Sequence, residues 1–480
     1  MLSPVHPLSE TLSIESPRLN PRRVGVASRL IGAGSVLLFV ALTVQAFLRG
    51  GIGGWSVGVA YILYDTFLLA FTAWQIRGLR PAPLAPAPGA IRPTIGVIVA
   101  AYNEAGALGI TIDTLAAQVE PPELILLADD GSTDASAATM RRLYGLEQPE
   151  EGELGPASPV LPSLRWLRLP HAGKARALNA AIPAIDTDLL LTVDADTLLA
   201  PGALKAMRDA FTAEPELAAA TGVLRPICGP HPAGRLFEWF QRYEYVRNFL
   251  SRYAWERVNG LLLISGAYAA FRREALIAVG GFDPASMVED YELIHRLHRH
   301  AHVHGLDWRV RVIGAAMAST DAPAAPLAFL RQRRRWFGGF LQTQHWNRDM
   351  VGNRRFGALG MAMLPVKALD RLQPVFGIAA FLILVAFLAT GRFRIALPIL
   401  AIMIAKVAID LTFHLWSLGI YRRWTGERDG LATGPAILAA FAEPFSFQLL
   451  RHAGALWGWL AFLRGRETWV RQERTALEAR

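Results

Sequence analysis

The sequence predicts an α/β domain carrying a parallel sheet, inserted between transmembrane α-helices. Three observations predict it. Apolar stretches long enough to cross a bilayer stand on both sides of a central region. That region alternates short apolar runs with amphipathic ones, and Asp-rich clusters recur just after the apolar runs. Of the 480 residues, 52% are hydrophobic and 19% charged, a greasy balance for a water-soluble enzyme. The formal net charge is +9, and the apolar spans direct it towards an anionic membrane face or anionic small molecules rather than nucleic acid. Cys228 is the single cysteine, which excludes a disulfide framework or a cysteine-built zinc site.

In chain order, residues 1–29 are a polar, Pro-interrupted cytoplasmic N-terminus. The apolar run that follows is too long for the core of a cleavable signal, so it predicts an anchor that stays. Leu30–Leu48 and Val57–Ile76 each have the length to cross ~30 Å of hydrocarbon, giving two transmembrane helices within 30–76. Arg18, Arg22, Arg23 and Arg29 precede them and Arg77, Arg80 and Arg92 follow, whereas only Arg49 lies between. The positive-inside bias therefore predicts that both flanks are cytoplasmic. Gly51–Gly54, GIGG, follows no strand and reads as a loop. A Pro/Ala linker, Pro81–Pro88, leads into the central region.

Residues 92–352 form the predicted cytoplasmic domain. Runs at 94–101, 123–129, 163–169 and 189–193 read as strands, and 105–118, 135–144 and 174–182 as helices. Glu147–Pro159 reads as an exposed loop. In such a sheet, ligands bind beyond the carboxyl ends of the strands, where AYNE, ADDGSTD and VDAD all fall. Residues 353–463 supply interfacial and transmembrane helices, with spans predicted at Val375–Thr390 and Ile395–Leu418. Leu431–Leu463 is interrupted by Glu443–Pro444 and Arg451–His452, which fits an even number of crossings or a re-entrant pair. Lys406 and Asp410 stand four apart inside a span and are expected to neutralise each other. Residues 464–480 make a basic cytoplasmic tail.

The segment Leu189–Thr197, LLLTVDADT, ends a strand in two aspartates. Residues two apart on a strand project from one face, so Asp194 and Asp196 are expected to converge on a hard divalent cation, Mg²⁺ or Mn²⁺. An aspartate pair alone is also what a turn at a strand end looks like. Further segments stand in fixed order around it. Tyr102-Asn103-Glu104 follows the first strand and Asp129-Asp130-Gly131 the second. His171–Asn179, HAGKARALN, opens a helix, and Val288-Glu289-Asp290 is followed by Gln332–Trp336, QRRRW.

In that order these segments resemble family 2 of the inverting glycosyltransferases, and among them the membrane-embedded synthases of cellulose, hyaluronan, chitin and poly-N-acetylglucosamine. The resemblance covers about Ile95 to Trp336. It implies a GT-A-type (nucleotide-diphospho-sugar transferase) fold and a nucleotide-sugar donor, UDP-linked. It also implies Asp290 as catalytic base, with Glu289 beside it. By position it gives Tyr102, Glu104, Asp129, Asp130, Lys174, Asp194, Gln332 and Arg335 to the nucleotide sugar, and Trp336 and Gly266 to the acceptor. Val288 stands where most relatives have threonine, so any hydrogen bond from that position is missing.

On a helix, Gln332 lies three and four residues from Arg335 and Trp336, so all three can share a face. At least two of Arg331, Arg333 and Arg334 beside them read as contacts to anionic lipid, and Arg176 either assists Lys174 or is a solvated helix residue. Leu236, Trp239, Phe240, Tyr243, Val246 and Leu250 form a helical stripe, fit for core packing, a membrane surface or the acceptor path. His295, His298, His300, His302 and His304 suggest zinc, but only His295 and His298 are expected to share a face and no Glu or Cys completes a familiar spacing.

The expectation is therefore a multi-pass protein of a bacterial-type inner membrane that extends a β-glycan at its cytoplasmic face, with coupled export of the product. Its partners would be donor, glycan or lipid-linked acceptor and membrane lipids, with no nucleic acid. No cyclic-nucleotide-binding region is apparent, so regulation through one would need an accessory subunit. The alternatives are single addition to a lipid-linked acceptor and, in a different class, a catalytically silent membrane scaffold.

Overall fold

The computed structural model describes residues 6–48, 51–80, 86–427 and 433–465. The start of the Pro/Ala linker, the Arg428 flank and the tail from 466 onward lie outside the described residues. Helix α1 (His6–Glu15) precedes two long apolar helices, α2 (Val26–Leu48) and α3 (Ser56–Ile76), at the two predicted N-terminal spans. The alternation that follows matches the sequence to within a few residues at element ends: β1 (Ile95–Ala101), α4 (Ala105–Ala116), β2 (Leu124–Asp129), α5 (Ser136–Tyr144), β3 (Leu164–Arg168), α6 (Lys174–Ala181) and β4 (Leu189–Asp194). Beyond it come β5 (Thr197–Leu199), α7 (Ala203–Ala213), β6 (Leu217–Ile227), α8 (Pro232–Glu256), β7 (Tyr268–Arg272) and α9 (Arg273–Ala278). Then α10 (Glu289–His304), β8 (Arg309–Asp321) and α11 (Pro326–Trp346) complete the sheet domain.

The strands form one sheet in the order β3-β2-β1-β4-β7-β6-β8-β5. Its first half is parallel, as expected. The second half corrects the all-parallel expectation: β7 runs antiparallel to β4 and β6, and β5 antiparallel to β8. A crossover helix returns the chain to the same end of the sheet and so yields parallel neighbours. Helix α8, which precedes β7, packs both on β6 and β8 and on the apolar helix α3, and the chain re-enters the sheet from the other end.

β1 and β4 are near-continuous aliphatic runs because both their faces are covered; Ile95, Val97, Ile98, Val99 and Leu189 to Leu191 are fully buried. Their register decides where the chemistry sits, pairing Ala101 with Asp129 and Ala100 with Asp194. The loop Glu147–Pro159 is exposed along most of its length, as expected, and is also tied to the sheet edge. Its amides at Gly152, Gly155 and Ser158 donate to the carbonyls of Arg168, Trp166 and Leu164, so it lies along β3. The stripe on α8 is also shifted: Leu236 is exposed, whereas Phe237, Phe240, Tyr243, Val246, Phe249 and Leu250 are buried.

Residues ahead of the first apolar helix dock on the sheet domain. Arg18 donates Nε and Nη2 to Asp283, each at 2.9 Å, and the Asp283 side chain is fully buried. Arg18 holds that carboxyl below the ordinary value despite its burial. The N-terminal segment is therefore packed on the sheet domain. Inside the domain, Arg296 is fully buried on a bidentate pair with Glu292 and also donates to the carbonyls of Val279 and Gly281. Glu292→Gln is expected to destabilise the protein by about 3–5 kcal/mol, because it leaves a buried guanidinium uncompensated. A lowered thermal unfolding midpoint in detergent would register the loss.

After α11 the chain forms α12 (Leu364–Asp370), α13 (Gln373–Ala389), α14 (Phe393–Thr425), α15 (Thr433–Ala442) and α16 (Phe447–Leu463). Three described helices are long and apolar enough to cross a membrane: α2, α3 extended to Gly53, and α14. A fourth is reached if α12 and its preceding turn count with α13, to which they are bent by 41°. The interruption at Glu443–Pro444 is a short 3-10 turn between α15 and α16. Lys406 does pair with Asp410, and it also reaches Asp65 of α3 at 2.6 Å. Polar groups on separate apolar helices thus satisfy one another in the interior of the bundle.

Candidate active site

The ends of β1, β2 and β4 converge on one rim of the sheet. Two loops are stitched together there. Asn103, held at φ 56°, accepts the amides of Thr133 and Asp134 on its side-chain oxygen. Gly131 turns at φ 75°, where an added Cβ would stand 2.8 Å from the His171 amide nitrogen.

The acidic residues placed on the nucleotide by position have other partners in this structure. Asp129 accepts the Ser132 amide at 2.8 Å and the Trp166 indole at 3.3 Å. Asp130 accepts the amides of Ala172 and Gly173 and faces His171 Nδ1 at 2.8 Å. Both carboxylates are nearly buried, so their first duty here is to shape the loops. Glu104 sits at the N-cap of α4. The accessible surface is the ring of His171, half exposed and stacked on Tyr102 with centroids 4.0 Å apart. His171 is a site residue the sequence did not single out, although it opens the HAGKARALN motif.

Lys174 joins this rim to the rest of the site. Its Nζ lies 2.5 Å from Asp194 Oδ1, 3.4 Å from the Gly266 carbonyl and 3.4 Å from Glu289 Oε1. Burial would lower the pKa of Lys174, but Asp194, Glu289 and Asp290 outweigh it and raise it, so the ammonium stays charged. Asp290 completes the chain of contacts: Oδ2 accepts the Gly266 amide at 2.7 Å and Oδ1 accepts its neighbour Tyr291's amide at 2.8 Å. Burial, and then Glu289, push the Asp290 carboxyl above its ordinary value, with Lys174 opposing. Gly266 makes this approach possible, since a Cβ there would stand 3.0 Å from Asp290 Oδ2. The space left by Gly266 is filled by Asp290 itself.

Asp196 corrects one expectation. It lies in the turn after β4 rather than on the strand, so strand alternation does not govern where it points. Its side chain is buried, with Thr197 Oγ1 3.4 Å from its Oδ1. The donor chemistry nevertheless fits a hard divalent cation. Asp194 and Asp196 offer only oxygen, and one ammonium, Lys174, faces three carboxylates.

On α11, Gln332 is buried with its Oε1 lacking a partner, Arg335 points towards the Met287 carbonyl, and Trp336 is partly buried. Of the three extra arginines, Arg333 turns inward: it forms a bidentate pair with Glu244 at 2.7 and 2.8 Å and stacks over Trp336. Val288 packs against Gly339 of α11, where a Cβ would come within 2.5 Å of it; an apolar side chain suits that seam. Arg252 on α8, also not singled out by the sequence, lies within electrostatic reach of Asp290, and its Nε and Nη1 are buried without a partner. The long separation of α8 from the motifs hid it.

This sheet and rim define a GT-A-type glycosyltransferase fold flanked by helices apolar enough to span a membrane. Among solved structures, a mannosyltransferase from Pyrobaculum calidifontis, in complex with GDP-Man and Mn²⁺, superposes with a TM-score of 0.54 at 21% identity, covering 82% of this chain and 98% of that one. Family models for glycosyl transferase family 2 and glycosyl transferase family group 2 match residues 96–280 and 189–405. The chain belongs to the family 2 glycosyltransferases. It is 27% identical over 247 residues to a poly-β-1,6-N-acetyl-D-glucosamine synthase of Staphylococcus aureus, and 25% identical over 247 residues to that of Staphylococcus epidermidis. The match takes in 51% of this chain and 54% of each relative, so the chain spans about half the length of the curated relatives it matches.

Proposed function

We propose that this glycosyltransferase moves a sugar, with inversion, from a nucleotide-activated donor, UDP-linked, to the end of a β-glycan at the cytoplasmic face of a bacterial-type inner membrane. The observation that carries the reading is the continuous contact chain Asp194–Lys174–Gly266–Asp290, which ties a phosphate-side carboxylate and ammonium to a basic carboxylate in one site. Residues 92–352 would act as the catalytic unit.

Each step follows from the chain's own groups. The Tyr102–His171 ring pair offers a flat platform for the base. Lys174, at the start of α6, brings a fixed positive charge to the donor diphosphate. Asp194 and Asp196 would hold Mg²⁺ or Mn²⁺. When bound, that cation supplies charge neutralisation for the departing diphosphate. Asp290 takes the proton of the acceptor hydroxyl as it attacks the anomeric carbon; its raised pKa makes it the stronger base for that task. Glu289 keeps Lys174 oriented. Gln332 and Arg335 cover the diphosphate side, and Trp336 presents an indole to the acceptor sugar.

A second observation favours the polymerising form with export over single addition to a lipid-linked acceptor. A cavity of about 470 Å³ is lined by Trp336 and also by Tyr61, Asp65, Lys406 and Trp55, reaching the first turn of α3. Its charged lining pairs internally, through Asp65–Lys406–Asp410 and Glu244–Arg333, as polar groups along a hydrated path do. Trp336→Ala is therefore expected to shorten products or slow acceptor use while changing donor KM little; unaltered product-size distributions would remove that role. The function itself is tested by giving purified membranes a panel of radiolabelled nucleotide sugars and sizing the product. A long polymer supports the proposal, a single added sugar favours the lipid-linked reading, and no incorporation from any donor favours the silent scaffold.

A further inference from the structure

The histidine run on α10 contains one residue that behaves unlike the others. His295, His302 and His304 each turn Nδ1 to the carbonyl four residues earlier, at 2.8, 2.9 and 3.0 Å. His298 uses Nε2 on the Leu261 carbonyl instead. His300 makes neither bond. Its Nδ1 is buried without a hydrogen-bond partner and stands 3.2 Å from Glu15 Oε1, at the end of α1. Two such atoms at that separation are held by a cation between them, either a proton carried on Nδ1 or a metal ion. His304 lies one helical turn on, and its ring stacks on that of His300 with centroids 4.0 Å apart. Because a carbonyl only accepts, His304 Nδ1 carries the proton, which leaves the Nε2 lone pair free to ligate. Trp308 also stacks on the His300 ring, with centroids 5.2 Å apart. One ligand atom from each of Glu15, His300 and His304 can be chosen so that all three lie within 4.8 Å of one another.

We propose that Glu15, His300 and His304 form a binding site for a divalent transition-metal ion of the Zn²⁺ class, with water completing the coordination. Two imidazoles at i and i+4 on a helix and one carboxylate are a donor set that zinc accepts, and they differ in chemistry from the oxygen-only pair Asp194/Asp196. The site would clip α1 onto the last turn of α10, the helix whose first turn carries Glu289 and Asp290. His300 and His304, four apart, share a face, which corrects the expectation that only His295 and His298 do; the third ligand, Glu15, is far away in sequence and spacing does not reveal it. Helix α10 spans ~24 Å, so the ion would fix the helix and would not touch the reacting sugars.

The test uses the full chain in detergent, stripped with a chelator and then saturated with Mg²⁺ so that oxygen-only sites are filled. Zn²⁺ is measured by equilibrium dialysis, and Co²⁺ is added in parallel as a probe whose visible absorption reports nitrogen ligation. One retained equivalent of Zn²⁺ is expected, with affinity falling at least ~10-fold in Glu15→Gln and in the exposed-site variant His304→Ala, and unchanged in His302→Ala. Zinc retention and cobalt spectrum unaltered in both ligand variants, or no Zn²⁺ retained by the parent protein, would overturn the proposal.

Discussion

Asp290→Asn is expected to lower sugar transfer by about 10²–10⁴-fold while donor binding stays within a few fold, which single-turnover transfer and equilibrium donor binding would measure side by side. The substitution keeps the volume that fits against Gly266 but removes the carboxylate proposed to take the acceptor proton. In the parent enzyme the acid limb of the pH–rate profile should report the same group. Burial and Glu289 raise the Asp290 pKa, and the ionised form is the active one, so kcat/KM falls as pH drops through a value above the usual carboxylate range of about 4. That limb should vanish in Asp290→Asn. Gly266→Ala should lose part of the rate without losing the limb, since its Cβ would crowd Oδ2 at 3.0 Å and shift the base without removing it. Normal turnover by Asp290→Asn would mean that another group is the base.

Asp194→Ala is expected to weaken donor binding by about 2–5 kcal/mol, at least ~30-fold in Kd, and to remove its dependence on added Mn²⁺. Two losses combine there. The oxygen donor at the end of β4 disappears, and Lys174 is left to Glu289 at 3.4 Å, a longer pairing that draws the ammonium away from the phosphates. A donor affinity unchanged with and without Mn²⁺ would count against the cation site. Unlike the Asp290 substitution, this one should raise KM for the donor before it lowers kcat, which separates the two sites in one set of kinetic measurements.

Much of the molecule was readable before any coordinates. Hydropathy is summed locally, so α2, α3, α13 and α14 fall where long apolar runs predict them. The βαβ alternation likewise places β1 to β4: β1, β2 and β4 are buried on both faces and carry their own aliphatic runs, and edge strand β3 sets Arg165 and Arg168 among buried Leu164, Trp166 and Leu167. The motif residues are recognisable one by one for a similar reason: Lys174, Asp194, Asp290 and the Gln332–Trp336 segment are chemically specific types at fixed offsets. The mixed half, where β6 and β8 pair parallel while β7 and β5 run antiparallel to their neighbours, was not readable. Strands β6, β7 and β8 are apolar in part, but α8 links β6 to β7 and α9 and α10 stand between β7 and β8, and nothing in local periodicity says to which edge the chain returns.

Local residue patterns were enough to say that carboxylates, a lysine and an arginine–tryptophan helix stand near strand ends, between bilayer-length segments. They could not say that Lys174 bridges Asp194 and Glu289, that Asp130 is consumed by the Ala172 and Gly173 amides, that Gly266 makes room for Asp290, or that Glu15 meets His300. Each of these contacts joins residues from about twenty to nearly three hundred positions apart. Such a meeting is set by strand order and helix packing, which depend on the summed burial of the whole core rather than on any segment's own preference.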